Sequence, residues 1–179
     1  PVEDEVRSIL GNKIYGVDVD SLEAVRLDLL TQAGLTLATA ESCSGALIAK
    51  RITDLPGASK AFVGGIVSYT DGVKIAQLQV PQALLDAHSA VSAPVAEAMA
   101  KGARRILSCD LAVSTTGVAG PGPDEHGNPA GLIYVALDTP KGCFVKEWRA
   151  GFMTRDQVRV GAAQLGLDLI RRYLTGILQ

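Results

Sequence analysis

The sequence predicts an α/β fold, a three-layer α/β/α domain with a mixed sheet and an antiparallel hairpin near its C-terminal end. Three observations point to it. Short apolar runs alternate with helical periodicities through the first two thirds of the chain. Leu132–Asp138 and Cys143–Ala150 then form two strand-like runs joined by Thr139-Pro140-Lys141-Gly142, which reads as a hairpin turn. With 179 residues, 47% of them hydrophobic, the chain is long enough to bury one core with helices on both faces of a sheet.

The elements follow in order. Pro1 to Asp20 carries mixed charge and little periodicity, and reads as a leader or linker able to hold a short helix. Ser21 is placed as an N-cap, with Glu23 in the first turn and Leu22, Val25, Leu29 and Leu30 at helical spacing up to a Gly34 stop. Leu35–Thr39 is an apolar strand, and Leu47–Thr53 a short helix. Phe62–Tyr69 reads as a buried strand, with Tyr69 at its far end. Thr70–Leu78 is compatible with a helix, as is Pro81–Ala87, with His88 in the loop that follows. Ser92–Leu107 forms a longer helix that tolerates Pro94 in its first turn. Leu111–Thr116 is another apolar strand, running into the Gly- and Pro-rich loop Gly117–Pro123. Thr154 with Gln157 is a capping-box signature, and Val158, Ala162, Leu165 and Leu169 carry a final helix toward Tyr173.

Composition excludes several function classes. A formal charge of −2 and 4% aromatic residues offer neither a phosphate-neutralising surface nor base-stacking platforms, so nucleic acid is not expected as a partner. No apolar run approaches the roughly 18 residues of a spanning helix, and the first residues are acidic, so no membrane partner and a cytoplasmic location are expected. Cys43, Cys109 and Cys143 form no C-x-x-C pair and, with only His88 and His126 beside them, no zinc cluster. Neither metal nor cofactor is expected.

The chemistry-bearing candidates gather at two loops. Ala40-Glu41-Ser42-Cys43-Ser44-Gly45-Ala46 joins a strand to a helix, so hydroxyl and thiol side chains lie beside helix-start N–H groups that could hold an anion or an oxyanion. By pattern alone, the same residues also fit an ordinary helix cap. The two histidines lack an acidic orienter, which leaves a Ser-His-Asp triad without support. Lysine can serve as base when burial lowers its pKa from about 10.4 toward neutrality. Lys74 stands five residues after Tyr69, so both could reach one pocket with Ser42; a solvated Lys74 and an ordinary strand-end tyrosine fit the spacing as well. Gly117–Gly122, after Thr115 and Thr116, offers close backbone approach to a ligand, or a structural turn. Cys43 is a second possible nucleophile. Arg155 and Arg159, one turn apart, could meet an acidic ligand group or solvent.

The segments Ala40–Gly45, Pro56-Gly57-Ala58-Ser59, Gly65–Tyr69 with Lys74, His88–Ser92 and Thr116–Pro121, in this order and spacing, resemble the CinA carboxy-terminal domain family from about Leu35 to Tyr173. Its stand-alone members are nicotinamide mononucleotide deamidases. The resemblance implies hydrolysis of the carboxamide of nicotinamide mononucleotide to nicotinate mononucleotide and ammonia, with Ser42 as nucleophile, Lys74 as base and Tyr69 assisting. It also implies substrate contacts from Glu41, Cys43, Ser44, Gly45, Thr116, Gly117, Ala119 and Gly120, and association into a homo-oligomer. Pro1–Asp20 resembles the junction after the amino-terminal domain of two-domain members, and residues 21–179 the amidase domain. Departures fall at Ser44 (usually Thr), Ala46 (usually Gly), Thr70-Asp71 (usually Ser-Asn), Gly122-Pro123-Asp124 (usually Asp-Gly-Gly) and Asn128–Gly131, where a usual lysine is absent. The altered loop motivates a competing expectation, a silent nucleotide-binding or interaction module of a CinA-type competence/damage-inducible protein. A thiol hydrolase using Cys43 is a third.

Overall fold

Central strand β1, Leu37–Glu41, is buried along its whole length because it has a strand on either side and helices above and below. The computed structural model describes residues 2–14 and 21–178. Helix α1 spans Val2–Leu10 and buries no residue, and a 3-10 turn follows at Gly11–Lys13; Pro1 and residues 15–20 of the expected linker lie outside the described residues. Then come α2 (Leu22–Ala33), β1, α3 (Leu47–Thr53), β2 (Phe62–Val67), α4 (Asp71–Leu78), α5 (Gln82–His88) and α6 (Ala93–Ile106). The chain finishes with β3 (Leu111–Gly117), β4 (Leu132–Thr139), β5 (Gly142–Arg149) and α7 (Arg155–Leu174).

The sheet order is β2-β1-β3-β4-β5. Strands β2 and β3 run parallel to β1, whereas β4 and β5 pair antiparallel, so the sheet is mixed as expected. The hairpin closes through Pro140-Lys141, with Thr139 opposite Gly142.

Local signals explain the helix ends. Ser21 Oγ accepts from Ala24 N–H, Gly34 closes α2 at φ 64°, and Thr154 and Gln157 make the reciprocal capping box.

Strand alternation separates the two faces. Leu37, Leu111, Val113, Val135 and Leu137 pack against α7 through Ala162, Leu167 and Ile170. On the other face Ala38, Ala40 and Ala112 meet Leu78, Val95 and Met99. Alanines on this face let α6 lie close, and each large side chain buried there is worth roughly 1.5–3 kcal/mol.

Two expectations are corrected. The run Phe62–Tyr69 ends as a strand at Val67 and forms an edge, leaving Val63 and Val67 about half exposed. A continuous apolar run suggests burial on both faces, but an edge strand is covered incompletely, and here the register slips between Leu37 and Ala38. His88, expected in a loop, is the last residue of α5.

Candidate active site

The parallel strands end together, and their ends build a row of hydroxyls. Ser42 N–H donates to Thr115 O (3.0 Å) and Ser68 N–H to Glu41 O (2.9 Å), so the ladders continue one residue past Glu41. Ser68 and Ser42, one residue past the ends of β2 and β1, therefore stand side by side with Thr116 near the end of β3, on the face that carries α4 and α6. Open α/β sheets characteristically bind ligands at the carboxyl ends of their strands.

After Ser42 the chain turns sharply. Gly45 N–H donates back to Ser42 O (3.1 Å), and Gly45 and Ala46 both adopt left-handed conformations, at φ 61° and 67°. Helix α3 then starts against a buried carboxylate. Glu41, with no exposed surface, accepts from Ile48 N–H and Ala49 N–H (2.9 Å each) and from Ser44 Oγ (2.7 Å). Ser44 Oγ also pairs with Thr115 Oγ1 at 2.6 Å.

A cavity of about 570 Å³ opens above the row. Ser42, Cys43, Tyr69, Lys74, Thr116, Gly117, Ala119 and Gly120 all line it. Glu41, Ser44 and Gly45 do not; they were expected to touch substrate, but Glu41 is spent on capping α3, Ser44 on Glu41 and Thr115, and Gly45 lies against the Arg159 guanidinium.

Lys74 is 2% exposed. Its Nζ donates to Asp71 Oδ1 (3.2 Å) and, at 3.4 Å, to Tyr69 O. A free amine has two N–H groups and one lone pair, so two acceptors leave the third tetrahedral position without a protein partner. Ser42 is 7% exposed, and among the described residues its hydroxyl makes no hydrogen bond. Tyr69 stands at the rim, 60% exposed, and its OH accepts from Arg155 Nη2 (3.0 Å) while Arg155 Nη1 donates to Gly120 O (2.7 Å). Arg155 is the first residue of α7, aimed there by the capping box. Arg159, one turn on, donates to Ser44 O (3.3 Å) and braces the turn outside the cavity.

Burial pushes the Cys43 thiol up to about 12, which keeps it protonated at neutral pH. Thr116 Oγ1 donates to Ala90 O (2.7 Å), and the loop beyond it is pinned at its base, where Val118 N–H donates to Leu132 O and Gly131 N–H to Val118 O. Burial works to raise the Asp124 carboxyl, but hydrogen bonds from Asn128 and from the His126 backbone outweigh it and hold it below its ordinary value. Asp124 and Glu125 bring this loop's carboxylates, and His126 its imidazole, to the cavity wall.

Asp71 also lines the cleft, and its i,i+3 spacing to Lys74 on one helix is the signal of this that the sequence carries. The place of Glu125 and His126 at the cavity wall, and of Ser68 beside Ser42, depends on loop path and strand register. Among the described residues no group of three His, Cys, Asp or Glu is arranged to hold a metal, and no helix is long and apolar enough to cross a membrane.

Known proteins share this architecture and sequence. The chain is 47% identical over 177 residues to a CinA-like protein of Frankia casuarinae, covering 99% of this chain and 40% of that protein. A CinA-like protein of Desulfotalea psychrophila is 43% identical over 172 residues, which is 94% of this chain and 41% of that one. The chain thus spans about two fifths of the length of these relatives. The crystal structure of the competence/damage inducible protein CihA from Agrobacterium tumefaciens superposes with a TM-score of 0.82 at 32% identity, covering 90% of this chain and 98% of that one. That of the competence damage-inducible protein A from Klebsiella pneumoniae gives 0.83 at 28% identity, with 86% and 95% covered. The family model of the CinA C-terminal domain matches residues 19–174, and the chain belongs to that family.

Proposed function

We propose that the protein is an amidohydrolase that converts nicotinamide mononucleotide to nicotinate mononucleotide and ammonia through an acyl-enzyme on Ser42. The observation that carries this reading is the buried Lys74 amine, with one position unpartnered, on the same cavity wall as the free Ser42 hydroxyl.

In this reading the free-amine form of Lys74 takes the Ser42 proton as Oγ attacks the carboxamide carbon. The developing oxyanion meets the backbone N–H of Cys43, a residue that lines the cavity, whereas the N–H groups of Gly45, Ile48 and Ala49 are engaged elsewhere. Each donor in such a hole is worth about 3–4 kcal/mol. Lys74 returns the proton to the departing ammonia, with Tyr69 assisting at the rim. Water then releases nicotinate mononucleotide. Arg155 and the backbone of residues 116–122 receive the phosphate, a role for which a planar guanidinium is suited.

A second reading, a silent ligand-binding or interaction module without turnover, draws on Asp124 and Glu125 in the cavity wall, which oppose the phosphate of the amidase substrate. A coupled ammonia assay on the wild-type chain and on Ser42→Ala decides between them. Ammonia from the wild type alone upholds the amidase; binding by calorimetry without ammonia rejects it in favour of the module.

A further inference from the structure

The serine beside the nucleophile has a hydroxyl with nothing to hold. Ser68 has no exposed surface, and among the described residues its Oγ has no hydrogen-bond partner. Buried polar side chains are nearly always paired, so one left open beside a reacting group calls for a reason.

Its neighbours sharpen the contrast. Register places Ser68 next to Ser42, since Val67 pairs with Glu41, and strand alternation turns it to the face of Ala40 and Ile66. Two other buried hydroxyls on that face are committed to carbonyls, Ser114 to Ala96 O (2.6 Å) and Thr116 to Ala90 O (2.7 Å). Helix α4, which starts three residues after Ser68, lays Lys74 and Leu78 against this same face. Neighbouring strands lie about 4.8 Å apart, so a rotation about χ1 brings the Ser68 hydroxyl to its neighbour on β1.

We propose that Ser68 is a positioning residue that relays the proton between Ser42 and Lys74, an inference that rests on the amidase reading above. As Ser42 Oγ bonds to the carboxamide carbon and the C=O electron pair moves to oxygen, the Ser42 proton passes to Ser68 Oγ. The proton of Ser68 moves to the vacant position on Lys74 Nζ. Lys74 ends as an ammonium and Ser68 as the same hydroxyl. When the oxyanion re-forms C=O and the C–N bond breaks, Lys74 gives its proton through Ser68 Oγ to the leaving nitrogen, which departs as ammonia while Ser42 Oγ stays in the acyl ester.

The test compares wild type, Ser68→Ala and Ser68→Thr. No hydrogen bond is lost in Ser68→Ala, so its melting temperature stays at or above that of the wild type. Its kcat falls by about 100-fold, the low end for general acid–base assistance, with KM within about twofold. The dependence of kcat on deuterium fraction, bowed in the wild type by two moving protons, becomes linear. Ser68→Thr keeps the hydroxyl and restores kcat to within about threefold. Sulfonylation of Ser42 by phenylmethylsulfonyl fluoride, which needs no nucleotide, slows in Ser68→Ala alone. Wild-type kcat and labelling in Ser68→Ala overturn the relay and leave the amidase intact; should that variant misfold, full activity in Ser68→Cys overturns it equally. If the wild type releases no ammonia yet is labelled at Ser42, the amidase falls, and the two labelling rates still decide the relay. A wild type inert to both overturns the two together.

Discussion

Lys74 Nζ and Asp71 Oδ1 lie 3.2 Å apart, one helical turn from each other, with the lysine buried and the aspartate half exposed at the cavity wall. The Asp71 carboxylate accepts from the Lys74 amine and orients it along the cavity wall. Asp71→Asn keeps an acceptor oxygen and removes the charge. Because the acceptor survives in this variant, its kcat is expected to stay within about threefold of the wild type, whereas Asp71→Ala, which removes the acceptor, loses about tenfold. Wild-type kcat in a well-folded Asp71→Ala variant would detach Asp71 from the chemistry.

Cys43 is expected to be inert. With its thiol pushed up to about 12 by burial, on the order of one molecule in ten thousand carries a thiolate at pH 8. Iodoacetamide at that pH should leave ammonia release intact, and Cys43→Ala should retain it. Rapid inactivation that maps to Cys43 would revive the thiol as nucleophile.

Glu41 is expected to matter for stability. Glu41→Ala leaves two α3 N–H groups and the Ser44 hydroxyl without their buried acceptor. Bonds to charged groups are worth about 1.5–3 kcal/mol each, so a loss of at least about 3 kcal/mol is expected. Thermal unfolding should fall by roughly 6–12 °C. A drop of a degree or less would mean that water replaces the carboxylate.

Ala46 holds φ 67°, a left-handed conformation that a Cβ disfavours by roughly 1–2 kcal/mol. Ala46→Gly relieves it, at some cost in unfolded-chain entropy, and should raise the melting temperature by about 2–4 °C. Lowered stability would show that the Ala46 methyl contributes more by packing than it costs in strain.

Arg155 bridges Gly120 O and Tyr69 OH at the cavity rim. If it receives the phosphate, Arg155→Ala raises KM for nicotinamide mononucleotide by about tenfold, equivalent to about 1.4 kcal/mol, and leaves the weaker turnover of nicotinamide riboside unchanged. Equal losses on both substrates would assign Arg155 to holding Tyr69 and the loop instead.

Much of the fold was legible in the residues. Ser21, Gly34 and the Thr154–Gln157 box act within one helical turn, so helix ends followed from spacing. The hairpin followed from two apolar runs across a short Pro-containing turn. Less of the cleft could be read. Ser42, Lys74 and Tyr69 were picked out as candidates, yet Glu41 looked like a ligand contact because a carboxylate at a strand-to-helix corner carries no local sign of whether it faces the cavity or the helix.

What the sequence determined by itself was which segments form strands and helices and which helices carry caps, because hydrophobic period and capping operate over a few residues; the strand ends shifted, β1 to Leu37–Glu41 from Leu35–Thr39 and β2 to a stop at Val67. Tertiary structure alone decided the order β2-β1-β3-β4-β5, the row of Ser68, Ser42 and Thr116 across three strands, and the turning of Glu41 into α3. Those arrangements join residues tens of positions apart, and they are selected by burying both faces of one sheet at once, a condition on the whole chain rather than on any segment.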